Sequence, residues 1–226
     1  MSNILNNPLF GIALSLAVYA LCKWISQKTK IAFLNPLLLS IALIIILLQT
    51  CAIPLESYQQ GGSIINMFLA PATTVLAYSI YKQITLLKKY FIPIAAGCLV
   101  GSLTSMISAY FLCELFGLND QLTNSLLPKS VTTPIAMEVS EQLGGIPSVT
   151  VAVVIITGIL GSVLCPILIK LFHLSDSIAN GVAIGTCSHA VGTSKAIQIG
   201  EIEGAMSGIA IGVSGIITVI LSLIIS

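Results

Sequence analysis

Leu127-Pro128-Lys129-Ser130-Val131-Thr132-Thr133-Pro134-Ile135-Ala136-Met137-Glu138 is the stretch on which the reading of this chain turns. Pro128 and Pro134 each lack a backbone donor and disrupt the turn before them, so the segment cannot be one continuous helix. On either side of it the chain is apolar. Met1–Cys22, Ile31–Leu55, Ser57–Tyr81, Tyr90–Cys113, Gln142–Ile169 and Gly204–Ser226 contain no Asp, Glu, Lys or Arg. Each is long enough to cross a hydrocarbon core, which takes about 20 helical residues. A broken helix at that depth is tolerated only where protein surrounds it or where it lines a water-filled cavity.

The whole composition agrees with this setting. Of 226 residues 56% are apolar and 8% charged, against about 25% charged in an ordinary soluble domain. The expected fold is an all-α polytopic membrane protein, with about seven or eight transmembrane or re-entrant helices and internal repeats that contain Pro/Gly-broken helices. One membrane domain is expected over 1–226, with two N-terminal helices in 1–60 and repeated units in 61–226. The first apolar stretch has no basic residue before it and Lys23 after it, so it reads as a retained helix. Lys23, Lys28, Lys30 and Lys82, Lys88, Lys89 sit in two connections separated by two apolar segments. The positive-inside rule puts both on the cytoplasmic side and the N-terminus outside. Lys170 fits a simple alternating count poorly.

The repeat is visible in the residues. Thr73-Thr74-Val75-Leu76-Ala77 answers to Thr132-Thr133-Pro134-Ile135-Ala136, and Gly101-Ser102 to Gly161-Ser162 about 60 positions later. Asp120, Asn124 and Lys129 are matched 56 positions on by Asp176, Asn180 and Gly185. One unit is thus a broken helix followed by a long one, a construction common in secondary transporters. If the broken member crosses, successive units are parallel; if it dips in and returns, they are inverted.

Two segments carry candidate chemistry. In the first, Lys129 with Ser130, Thr132 and Thr133 offers an ammonium and hydroxyls to an anion, the threonines sharing its face wherever the backbone is helical. The second is Gly185-Thr186-Cys187-Ser188-His189-Ala190-Val191-Gly192-Thr193-Ser194-Lys195. Here Ser188, His189 and Thr193 complete a substrate site, with Thr193 orienting the imidazole and His189 or Glu138 able to relay a proton. Pro71, Thr73, Thr74 and Asn180 are expected to wall the cavity. The Lys129 ammonium and the His189 imidazole should confront one aqueous chamber.

Adjacent Ser188 and His189 cannot supply nucleophile and base from one segment, so an enzyme is not expected. No phosphate loop, metal-ligand spacing, cofactor motif or basic nucleic-acid patch is present. The six cysteines, Cys22, Cys51, Cys98, Cys113, Cys165 and Cys187, occur singly and read as small packing residues, with neither a metal site nor a disulfide framework.

PKSVTTPIAMEVSEQLGG at 128–145 and GTCSHAVGTSKA at 185–196 resemble the bacterial LrgB/CidB family, which includes the YohK proteins and the C-terminal half of the plastid glycolate/glycerate transporter. The resemblance runs from about Gly61 to the end and more loosely over the first helices. It implies one of two functions. Bacterial members are named antiholin-like or holin-like and are linked to murein hydrolase activity and lysis, together with a small LrgA/CidA-type membrane partner. The plastid relative looks like a carrier of small hydroxy acids, and bacterial relatives are associated with pyruvate. The polar groups inside apolar repeats favour a transporter of small monocarboxylates such as pyruvate, glycolate or lactate, possessing proton coupling as an option. The partners expected are the lipid bilayer of the bacterial cell membrane, a small carboxylate, an LrgA/CidA-like protein and a second copy of the chain.

Overall fold

A computed structural model describes residues 5, 7–29, 36–68, 71, 74–75, 78, 81–82 and 84–225. The chain forms two compact units, Met1–Val75 and Leu76–Ser226, and the described residues contain helices and no strand. The unit boundary lies inside the stretch that the sequence gives to the first repeat. Thr73, Leu76 and Ala77, on which that repeat's match rests, lie outside the described residues.

The first unit contains α1 (Pro8–Thr29), α2 (Pro36–Thr50) and α3 (Leu55–Asn66). Two glycines let α1 and α3 touch backbone to backbone. A Cβ on Gly61 would come within 2.7 Å of Gly11 Cα, and one on Gly11 would strike the Tyr58 carbonyl oxygen. The Ser15 and Tyr58 hydroxyls lie 2.8 Å apart beside this crossing.

The second unit contains α4 (Ile84–Lys89), α5 (Phe91–Leu115), α6 (Asp120–Leu126), α7 (Thr133–Gln142), α8 (Pro147–Leu171), α9 (Ser177–Ile199) and α10 (Glu201–Ile225). The helices α5, α8 and α10 each have 25 residues, about 37 Å at 1.5 Å per residue, enough to cross a hydrocarbon core of about 30 Å. With α1 they are, among the described residues, the four helices long and apolar enough to span a membrane. By contrast α6 has 7 residues and α7 has 10, about 10 and 15 Å, so neither spans alone.

Contacts fix the directions. The α5 residues Ile94 and Cys98 pack with Met206, Ile209 and Ala210 of α10, and further along Met106 and Ala109 of α5 pack with Leu221. Those two helices therefore run parallel. The segment made of α6 and α7 is a hairpin: Asn124 Nδ2 donates to the Leu143 carbonyl at 2.7 Å and the Ile146 amide donates to Ser125 Oγ at 2.6 Å. Thr150 Oγ1 ties its base further, donating to the Ser125 carbonyl at 2.9 Å with Ser140 Oγ 2.7 Å away. The chain enters, turns at 127–132 and returns to the face where α5 ended.

The 23 residues of α9 form a second hairpin. His189 has φ 41° and ψ −140°, which ends one helix after residue 188 and starts another at 190. The first half runs along α10, with Gly181 against Glu203 and Met206 and Gly185 against Ser207 and Ala210. The second half runs back, with Thr193 Oγ1 2.7 Å from Ser207 Oγ and Ile197 against Gly204. Residues 120–142 match α9 in length, and each hairpin precedes a 25-residue helix. Both broken members re-enter, so α8 is antiparallel to α5 and α10, and the repeat units that begin at Asp120 and Asp176 are inverted relative to each other.

This geometry explains Lys170. Counting the first hairpin as a return rather than a crossing puts the end of α8 on the face where α5 begins, so Lys170 joins Lys88, Lys89 and Lys195 there. The opposite face carries Glu114, Asp120, Glu138 and Glu141.

Candidate functional site

The two hairpins enter from opposite faces, and their tips wall one cavity of about 1130 Å³. Lys129 and Ser130 come from the first tip, Thr186 and Cys187 from the second, and Asn180 from the second hairpin's entering arm. Two stripes spaced four residues apart complete the wall, Gly97, Gly101 and Ser105 on α5 and Thr157, Gly161 and Cys165 on α8. That spacing brings each stripe to one helix face. The cavity extends to Tyr90, Phe172 and Asp176, at the lysine-bearing face. Beyond Lys129, toward the acidic face, Met106, Ala109 and Leu127 form a buried apolar cluster with Leu143 and Leu221 packed on it.

Lys129 Nζ donates to Ser105 Oγ at 2.9 Å and to Ser130 Oγ at 3.3 Å, and the two hydroxyls lie 2.7 Å apart. Two of the ammonium's three donors are thereby used. Among the described residues no carboxylate pairs with it. The ammonium's hydrogen-bond partners are both neutral hydroxyls, and a half-buried cation with no carboxylate beside it can accept an anion, whose charge offsets its desolvation.

The threonines fall elsewhere. Residues 127–132 are not helical, so the three- and four-residue spacing does not bring Thr132 and Thr133 onto the face of Lys129. Thr132 is a buried N-cap position of α7, Thr133 begins that helix, and neither lines the cavity. Glu138 is exposed on α7, outside the cavity.

His189 also departs from expectation. Its side chain is 4% exposed and is not part of the cavity wall. Nε2 donates to the Val154 carbonyl at 2.9 Å, and the ring sits in a notch where a Cβ on Gly158 would approach it to 2.6 Å. Thr193 Oγ1 donates to the His189 carbonyl at 3.0 Å rather than to the ring. Ser188 is fully buried, in contact with the Cα of Gly161 and bonded to Cys187 Sγ at 2.9 Å. The second hairpin's polar residues therefore pin its turn against α8. The backbone of His189 lies in a region that suits glycine and costs other residues about 1–3 kcal/mol. We expect His189→Val, β-branched and without the ring donor, to lower the melting temperature in detergent more than His189→Gly, although glycine fills less of the notch.

Asn180 lies in the cavity wall as expected, its Nδ2 donating to the Leu174 carbonyl at 3.1 Å. Pro71 and Thr74 are exposed residues of the first unit, and Thr73 lies outside the described residues. The sequence reading missed Thr104, Ser105, Thr157, Thr186 and Cys187. The signal for two of them, Ser105 and Thr157, was the four-residue recurrence of small residues in 97–105 and 157–165, which marks a helix face open to close approach. Of the cysteines, Cys22, Cys98 and Cys113 are buried packing residues, Cys51 is exposed, and Cys165 and Cys187 lie together with sulfurs 3.6 Å apart.

No solved structure matches the chain. Its sequence is 38% identical over 214 residues to proteins named antiholin-like protein LrgB from Bacillus mycoides, Bacillus cereus and Bacillus anthracis, covering 94% of this chain and 93% of each relative. The profile of the LrgB-like family matches residues 15–226. With both motifs built into opposed hairpins and the match extending through the last helix, this chain belongs to the LrgB-like family.

Proposed function

We propose that the protein is a membrane transporter of small monocarboxylates, with Lys129 as the anion-binding group and Ser105 and Ser130 as the hydroxyls that position it. The observation that carries this reading is an ammonium with no carboxylate partner among the described residues, at the closed end of a cavity between two opposed re-entrant hairpins. A permanent pore would need polar residues along its whole length, whereas here an apolar cluster lies beyond Lys129. One-sided access to a site at the junction of inverted repeats is what alternating access requires, and rocking of one repeat against the other would open the opposite side. The cavity volume exceeds that of a two- or three-carbon acid, leaving room for water around the anion. The positive-inside rule places the open face, with Lys88, Lys89 and Lys170, in the cytoplasm. Applied to Lys23 and Lys28 at the end of α1, it places the N-terminus outside the bacterial cell membrane. This chemistry is translocation, not turnover.

The relatives' name, antiholin-like, supports a second reading that the family resemblance also implies, a regulator of lysis working with a small LrgA/CidA-type partner or as a homo-oligomer, a dimer first. Vesicles carrying the purified chain separate the two. The transporter reading expects saturable entry of labelled pyruvate, glycolate or lactate while a trapped dye stays inside. Dye leakage or altered autolysis that needs the partner and ignores carboxylates supports the regulator, and no carboxylate entry under any gradient overturns the transporter.

A further inference from the structure

The wall of the cavity holds two thiols that the binding site does not use. Cys165 ends the Thr157, Gly161, Cys165 stripe of α8, and Cys187 lies two residues before the turn at His189. Their sulfurs are 3.6 Å apart, and Ser188 Oγ is 3.7 Å from Cys165 Sγ and 2.9 Å from Cys187 Sγ. Cys187 is exposed to the cavity and Cys165 is partly so, while Cys22, Cys98 and Cys113 are buried. The pair therefore combines contact between sulfurs with a route for a small reagent from the open face.

We propose that Cys165 and Cys187 form a redox-active dithiol that a hydroperoxide oxidises to a disulfide, fastening the tip of the second hairpin to α8. The Cys187 thiolate attacks one peroxide oxygen, the O–O bond breaks, and the departing hydroxide takes up the released proton as water, leaving a sulfenic acid. The Cys165 sulfur then attacks the sulfenic sulfur and expels the second water. Two thiols and one hydrogen peroxide give one disulfide and two waters, so the thiols lose the two electrons that the peroxide gains. The sulfurs must close from 3.6 Å to about 2.05 Å, a movement within the reach of side-chain rotation and a small shift of the tip. The same geometry suits a trivalent arsenical, which bonds two neighbouring thiols at once. Both properties are independent of what the cavity carries.

The test uses the full chain in lipid nanodiscs. Protein is treated with hydrogen peroxide, free thiols are blocked with N-ethylmaleimide, disulfides are reduced, and the thiols released are labelled with an isotopically heavy maleimide before peptide mass spectrometry. Heavy label on Cys165 and Cys187 in equal amounts, and a linked peptide in the unreduced sample lighter by two hydrogens, are expected. Phenylarsine oxide applied before the first maleimide should protect both cysteines together. In Cys187→Ser, Cys165 should lose that protection and the heavy label. Should that variant not fold, the linked peptide and joint protection in the wild-type protein decide alone. Light label on both cysteines after peroxide, separate sulfinic acids without a linked peptide, or arsenical protection of neither would overturn the proposal.

Discussion

Lys129→Ala is expected to insert and fold yet to lose carboxylate uptake. The variant removes a charge-assisted donor, about 1.5–3 kcal/mol in a partly buried site, so affinity for the anion should fall about 10- to 100-fold. Ser105 and Ser130 stay bonded to each other at 2.7 Å, so the tip keeps a local contact without the lysine. Because no carboxylate among the described residues pairs with the ammonium, its removal leaves no orphaned carboxylate, and stability should change little. Lys129→Arg keeps the charge, but its planar fork cannot share two hydroxyls in the same way and should restore uptake only partly. The paired readout is flux in vesicles and melting in detergent. Undiminished flux in Lys129→Ala would remove the site assignment.

Gly161→Ala should destabilise the packing of the second hairpin on α8. Its Cβ would lie 2.6 Å from the Cβ of Ser188 and overlap Ser188 Oγ, and Ser188 is fully buried, so it has nowhere to retreat. Overpacking of this kind costs about 1–3 kcal/mol, and here it would also push the second tip off α8. Gly208→Ala on α10 is the control, since a Cβ there meets nothing within 4 Å. Trading a helical glycine for alanine in open space should stabilise by about 0.5–1 kcal/mol. Adding Ser188→Gly to Gly161→Ala should recover part of the loss, because the two positions compete for one space. Equal melting temperatures for Gly161→Ala and Gly208→Ala would mean that the hairpin does not sit on α8 as described.

The helical membrane class was legible because charge-free stretches of spanning length admit no other structure. The breaks were legible too: Pro128 and Pro134 bracket the first turn, and the polar run 185–195 contains the second. What the residues could not show is that each broken member returns to its own face. That depends on contacts distant in sequence, such as Asn124 with Leu143 and Thr193 with Ser207, and a lysine count that treats a re-entrant hairpin as a crossing misplaces Lys170. The site was half legible for the same reason. Lys129, Ser130 and Asn180 reach the cavity, whereas helical spacing failed for Thr132 and Thr133 once the prolines removed the helix. His189 looked like a proton carrier because a polar, titratable ring in an apolar stretch is costly; its cost is met by the Val154 carbonyl and by the notch at Gly158. The glycines on α5 and α8 carried the missing information, since each marks where a residue of the second hairpin is received.

In this fold both broken segments re-enter, from opposite faces. Single cysteines placed at Asn119, Gly144, Asp176 and Gly200, in a background whose native thiols are replaced by serine or alanine, test it with a membrane-impermeant maleimide on sealed vesicles of known orientation. Asn119 and Gly144 should label together from one side, and Asp176 and Gly200 together from the other. Labelling of Asn119 and Gly144, or of Asp176 and Gly200, from opposite sides would make that segment a full crossing and rule out the re-entrant hairpin.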